Sequence, residues 1–273
     1  MIPSPVSPVA FSLLGLEVRW YALFLLAGMV AGLLLTRSLA RRVGLDPEWV
    51  WEAAPWVVLS AIVGARLYYV LLRADYFVAH PQEAINIRLG GMAFHGSLAA
   101  GIAVFLYLCR RDKQPALAWT DVALPGVALA QAIGRWGNWA NQEAFGLPTT
   151  LPWGVQIAEA HRPPQFATSP AFHPAFLYES IFNLANAILL SWLALRVSHS
   201  ARLRHGDPLG VYLVLYGLAR FIIERLRTDS LYIGPMPAAF WLSWTLILAG
   251  TLVLAAPRLA NLPKAGNPVP EAD

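Results

Sequence analysis

Two sets of charged and amide side chains interrupt otherwise apolar stretches, and both have helical spacing. The first is Gln131, Arg135 and Asn138, within a run that continues through Asn141, Glu143 and Gly146. If helix persists to Asn138, steps of four and three place these three on one face. A planar guanidinium flanked by amides, with Gly134 and Gly137 removing side-chain bulk, can hold a phosphate through two parallel hydrogen bonds. The second set is Tyr212, Tyr216, Arg220, Glu224 and Arg227, which step by four, four, four and three. Such a stripe cannot face acyl chains, and a second arginine aimed at the same cavity would complete an anion site. A third element is His95, between glycines in Gly90-Gly91-Met92-Ala93-Phe94-His95-Gly96-Ser97. Histidine titrates near neutrality, so it suits proton abstraction from a thiol, whose ordinary pKa is about 8.5.

Each set also has a plainer reading. A lone arginine in an apolar helix snorkels to the interface, Arg220 and Glu224 can form an ion pair that only joins helices, and a helix-end histidine is usually just hydrogen-bonded. The two asparagines, the glutamate and the glycines around Arg135 favour the anion site there. Taken singly, Arg220 and His95 remain open between the two readings. Structural roles are expected for His173, orienting a loop, and for Glu179, partnering an arginine. Arg66 and Arg19 are expected to anchor at the membrane interface.

The elements that must carry these groups follow from composition. Of 273 residues 57% are hydrophobic and only 13% charged, with mean hydropathy +0.51, against roughly 25% charged in soluble domains. Apolar windows of membrane-spanning length lie at 18–35, 49–72, 92–109, 119–136, 175–195, 209–223 and 238–256. The expected fold is all-α: a polytopic membrane helical bundle of about seven transmembrane helices in a single integral membrane domain spanning 1–273. Arginines gather after the first, third, fifth and last windows, which predicts an N-out, C-in topology. Segment 138–174, rich in Pro, Thr, Gly and aromatic residues, is then a long periplasmic loop between the fourth and fifth spans, and the tail 264–273 is expected to be disordered. No basic residue precedes Arg19, so the first span is expected to stay attached and not be cleaved as a signal peptide.

The net charge of +4 sits in short loops and marks membrane orientation, not nucleic-acid binding. Cys109 is the only cysteine, which rules out an intrachain disulfide. No His/Cys/Asp set has metal-ligand spacing and no glycine-rich nucleotide loop occurs, so neither metal nor cofactor is expected. A retinal photoreceptor would need a lysine within a span, and Lys113 and Lys264 both lie outside the windows. A transporter would more often show repeats and interrupted spans, and a scaffold would leave the arginines without purpose.

Several of these segments resemble the prolipoprotein diacylglyceryl transferase family. Gly134-Arg135-Trp136-Gly137-Asn138 with Asn141 and Glu143 looks like its signature, His95-Gly96 like its His-Gly element, Tyr216, Arg220 and Glu224 like its Tyr-x-x-x-Arg-x-x-x-Glu stripe, and His173-Pro174 with Leu177-Tyr178-Glu179 like its His-Pro-x-x-Leu-Tyr-Glu segment. Ser97 and Gln142 stand where that pattern commonly has glycine, and Ala175 and Phe176 replace more polar residues. The resemblance implies a seven-helix enzyme of the bacterial plasma (inner) membrane, with its active site near the periplasmic face. Its substrates would be phosphatidylglycerol and the lipobox cysteine of a prolipoprotein signal peptide, and its products a thioether-linked diacylglyceryl-cysteine and glycerol phosphate. It also implies that both arginines, Tyr21 and His95 matter for activity. Together with the spacing above, this assigns Arg135 and Arg220 to the phosphate, Asn138 and Tyr21 to the lipid headgroup and His95 to the thiol proton. Tyr216 and Glu143 would orient these groups, and Gly146 would allow close backbone approach in the loop.

Overall fold

The structure, a computed structural model, describes residues 1–259 apart from 6, 14, 87–89, 198, 201 and 229. The expected disordered tail, 264–273, lies outside the described residues. Long apolar runs become helices because a helix satisfies every backbone polar group internally, as a lipid environment demands. The chain forms α1 (Trp20–Arg42), α2 (Trp49–Leu72), a short α3 (Ala74–Ala79), α4 (Phe94–Arg111), α5 (Ala116–Asn141), α6 (Ala175–Val197), α7 (Asp207–Glu224) and α8 (Ala238–Leu259). Among the described residues, α1, α2, α5, α6 and α8 are long and apolar enough to cross a membrane. The 18-residue helices α4 and α7 carry more polar groups: His95, Arg110 and Arg111 on one, Asp207, Arg220 and Glu224 on the other. Exposed Trp241, Trp244, Leu248 and Leu252 recur along α8 at helical spacing, an apolar stripe that suits lipid and not water.

The first helix differs from the expected window. Strands β1 (Val9–Leu13) and β2 (Leu16–Arg19) pair as an antiparallel hairpin, so residues 18 and 19 are strand and α1 starts at Trp20. It then runs on to Arg42, with Arg41 and Arg42 in the last turn, where cations meet the negative end of the helix dipole.

The chain divides into two compact units. In the unit Ala40–Trp119, α2 lies against α4 along small residues. Gly64 and Gly96 face each other so closely that a Cβ on either would strike the other's carbonyl oxygen. Removing side chains at such a seam lets helix backbones meet where lipid supplies no hydrophobic drive. At the other end of this unit, Trp49 stacks on Trp119 with ring centroids 4.5 Å apart, and its indole N–H donates to Asp112 at 2.9 Å.

The other unit comprises Met1–Leu39 and the chain from Thr120 onward. Gly28 and Gly32 of α1 press on the backbone of Ala130 and Gly126 of α5, while Gly210 of α7 meets Gly250 of α8. Segment 138–174, expected as an outer loop, opens with the last turn of α5, and beyond it Phe145, Val155, Ile157 and Phe172 are buried together with Phe176 of α6. Two-residue strands β3 (Val155–Gln156) and β4 (Ala171–Phe172) pair antiparallel inside it. The N-terminal residues fasten to this layer, since Ile2 bridges to Val155, Trp139 Nε1 donates to the Pro3 carbonyl at 3.0 Å and Gln142 Nε2 donates to that of Pro5 at 3.0 Å. A last small hairpin pairs β5 (Tyr232–Ile233) with β6 (Met236–Pro237) ahead of α8.

Candidate active site

Helix α5 continues past Asn138 to Asn141, so Gln131, Arg135 and Asn138 do share a face. Helix α7 carries Tyr212, Tyr216, Arg220 and Glu224, and ends at Glu224. Arg227 is therefore off the stripe: its backbone lies beyond the helix and bridges to Gly146. Arg135 and Arg220, from different helices, line one cleft with Glu179, Phe182, Asn183 and Tyr216.

Three guanidiniums and two carboxylates meet around this cleft. Arg135 pairs with Glu179, Arg220 with Glu224 at 2.9 Å, and Arg227 comes within 4.0 Å of the other Glu179 oxygen. The carboxylates are enclosed, with 7% and 3% of their side chains exposed, whereas Arg135 and Arg220 keep 25% and 23%. Each carboxylate thus steers an arginine from behind while part of the guanidinium stays open to the cleft. A guanidinium has five N–H donors, so one ion pair leaves others for a ligand. The Arg220–Glu224 pair lies within α7 and joins no second helix, and Arg220 also lines the cleft.

Other residues predicted from sequence surround this arrangement. Tyr216 lines the cleft, and its ring lies 5.8 Å from that of Tyr212, whose hydroxyl donates to Gln131 at 3.2 Å. Tyr21, in the first turn of α1, packs on Gly137, where a Cβ would lie 2.6 Å from its ring. No atom would come within 4 Å of a Cβ on Gly134, so the helix surface beside Arg135 is open. Glu143 accepts hydrogen bonds from the amides of Asn138 at 3.0 Å and Asn141 at 3.3 Å, tying the end of α5 to the chain that follows. Gly146 donates its N–H to the His173 carbonyl at 2.9 Å, and a Cβ there would lie 2.7 Å from the His173 side chain. Close backbone approach at Gly146 is thus a geometric fact. His173 Nδ1 lies 3.2 Å from the Tyr178 hydroxyl, which also accepts from Trp153 Nε1 at 3.1 Å.

His95 belongs to the unit Ala40–Trp119. It is exposed in the first turn of α4, its ring centroid 6.4 Å from that of Tyr68. What fixes that turn is Arg66, which is not the interfacial anchor expected from sequence. Its buried guanidinium donates to the carbonyls of Glu83 (2.6 Å), Ala84 (2.8 Å), Gly90 (2.7 Å) and Gly91 (3.0 Å). Tyr69 and Phe77 cover it at 5.7 Å and 5.3 Å from its carbon to their ring centroids. Gly90 and Gly91 have φ of 79° and 78°, the left-handed region that glycine enters without cost, and carry the chain into α4. Arg66 and Gly90 stand 24 residues apart in the sequence, so local spacing carried no signal for this contact.

Sequence reasoning also passed over Gln142 and Asn183. Gln142 has φ 53° and Ala144 φ 56°. The conformation at Gln142 explains why glycine would suit the position, and its side chain compensates by donating to Pro5 and accepting from the Ala158 N–H at 2.7 Å. Asn183 is buried in α6, and its Oδ1 accepts no hydrogen bond from the described residues.

Among the described residues, five helices long and apolar enough to cross a membrane mark a membrane protein, and an arginine-lined cleft lies among α5, α6 and α7. The chain belongs to the prolipoprotein diacylglyceryl transferase family, whose model matches residues 8–256. It is similar to the phosphatidylglycerol–prolipoprotein diacylglyceryl transferases of Gloeobacter violaceus (42% identity, covering 90% of this chain and 91% of the relative) and Thermosynechococcus vestitus (38%, covering 99% and 98%). The enzyme of that name from Finegoldia magna is 36% identical over 90% of this chain and 93% of its own length.

Proposed function

We propose that this protein transfers the diacylglyceryl group of phosphatidylglycerol to the lipobox cysteine of a prolipoprotein. The thiol sulfur attacks the glyceryl carbon, the bond from that carbon to the phosphate oxygen breaks, and glycerol phosphate leaves with the electron pair. Negative charge grows on the departing phosphate. The observation that carries the reading is the convergence of Arg135 and Arg220, from separate helices, on one cleft. Donors held in place by Glu179 and Glu224 need no reorganisation as that charge develops, and they act in surroundings that screen less than water. Tyr216 sits between the two arginines, while Asn138 and Tyr21 bind the headgroup. Glu143 and Gly146 hold the adjoining chain in place. His95 takes the thiol proton, a role supported by its exposure, its chemistry and the family segment it resembles.

We also propose seven spans in the bacterial inner membrane, with the N-terminus and segment 138–174 outside. At 1.5 Å per residue the 18-residue α4 and α7 reach about 27 Å, close to the roughly 30 Å hydrocarbon layer. The basic ends of α1, α4 and α6 supply the inside charges.

The test is transfer of labelled diacylglyceryl from phosphatidylglycerol to a lipobox peptide by purified protein. Arg135→Ala or Arg220→Ala, in folded and inserted protein, should cost roughly a hundred- to a thousandfold in turnover. Wild-type turnover in both variants would end the phosphate assignment, and full activity of His95→Gln at all pH values would remove the histidine from the scheme.

A further inference from the structure

Asn183 lies on α6 one turn beyond Glu179 and lines the cleft that holds Arg135, Tyr216 and Arg220. The residue is 3% exposed, and its Oδ1 is enclosed without a hydrogen-bond partner among the described residues. A buried acceptor left in that condition is costly unless a ligand satisfies it. The neighbouring carboxylates are committed to cations, Glu179 to Arg135 and Arg227 and Glu224 to Arg220. Phosphodiester oxygens carry no hydrogen, so the anion that suits the arginines cannot satisfy this amide oxygen. A hydroxyl-bearing headgroup can.

We infer that Asn183 reads the headgroup of the lipid donor, accepting a hydrogen bond from a glycerol hydroxyl and so selecting a polyol phosphodiester over one of equal charge without hydroxyls. This rests on the proposed transfer reaction and adds to it a residue that sets lipid choice. Asn186, one turn further along α6, provides the control: it is equally buried, both its amide atoms lack partners, and it does not line the cleft.

The experiment compares transfer from phosphatidylglycerol and from phosphatidylmethanol, with identical acyl chains, in mixed micelles. The phosphodiester charge is the same in both lipids, and phosphatidylmethanol lacks both hydroxyls together with two carbons of the glyceryl headgroup. Wild type should prefer phosphatidylglycerol in kcat/KM, and Asn183→Leu should lower that preference by roughly three- to tenfold, the worth of one neutral hydrogen bond. Transfer from phosphatidylmethanol should fall less than transfer from phosphatidylglycerol. Because leucine replaces an unpartnered polar group of similar size, the thermal midpoint should hold or rise, whereas a purely structural asparagine would lower it. Asn183→Asp, which keeps an acceptor, should retain more of the preference than leucine does, and Asn186→Leu should leave it unchanged. An unaltered preference in Asn183→Leu, or a wild type that uses both lipids equally, would overturn the assignment. Absence of transfer from either lipid by wild type would strike the reaction itself and this inference with it.

Discussion

Arg135 is held by Glu179, and that pairing decides how the cleft should respond to change. Glu179→Gln keeps the shape and removes the charge that Arg135 and Arg227 share. Taking its counter-charge from the partly buried Arg135 guanidinium should destabilise the protein by about 2 kcal/mol, read as a lower thermal midpoint in detergent. Added phosphatidylglycerol should raise that midpoint more in Glu179→Gln than in wild type, since the lipid phosphate then supplies the missing charge. At the other end of the charge pattern, Asp112 lies just past α4. Its carboxyl is held below the usual carboxylate range, first by Arg111 and then by the Trp49 indole, both donating to its ionised form. Its stabilising effect is therefore complete above about pH 4 and lost as pH falls through the lowered value. Thermal midpoints of wild type and Asp112→Asn should differ at neutral pH and converge on acidification. A gap that persists in strong acid would refute this.

At the level of elements, the apolar windows and the helices coincide closely, because a run of that length and apolarity has a helix as its one way to satisfy its backbone in lipid. The hairpin before α1 and the folded layer at 142–174 were not legible. Their strands run only two to five residues, too short for a clear alternation, and the layer at 142–174 also depends on distant chain, as when Ile2 meets Val155. The turn after α5 illustrates how such a segment is held. Ala144 occupies a left-handed conformation that costs a non-glycine residue roughly 1 kcal/mol. Ala144→Gly should raise the thermal midpoint by the equivalent of about 0.5–1 kcal/mol while leaving transfer intact, and a drop would show that its methyl group matters more than its backbone. The seam between α1 and α5 predicts the opposite sign. Gly126→Leu would drive a side chain into Gly32 and Thr36, so folded protein recovered from membranes should fall steeply.

For the whole molecule, the question is which end of the bundle meets which side of the membrane. Cys109 is buried and is the only native cysteine, so introduced thiols can be read against a quiet background. Under the proposed topology, Thr150→Cys should react with a membrane-impermeant maleimide in intact spheroplasts, and His199→Cys only after permeabilisation. Reversal of that pattern would place the arginine cleft on the wrong side for a secreted lipoprotein precursor. Both proposed substrates are amphiphiles, and an opening among the helices at the outer leaflet would let each arrive without leaving the membrane.

Local periodicity determined the helices and the polar stripes along α5 and α7, since side-chain spacing on a helix is fixed by 3.6 residues per turn whatever surrounds it. It put Arg135 and Arg220 each on a polar helix face, because residues three and four apart share a face. Which carboxylate each arginine meets, that Arg227 leaves its stripe to approach Glu179, that Arg66 grips four carbonyls and that Asn183 opens on the cleft were decided only by tertiary structure. Those outcomes depend on how distant helices and loops approach one another, and short-range sequence spacing carries no record of that.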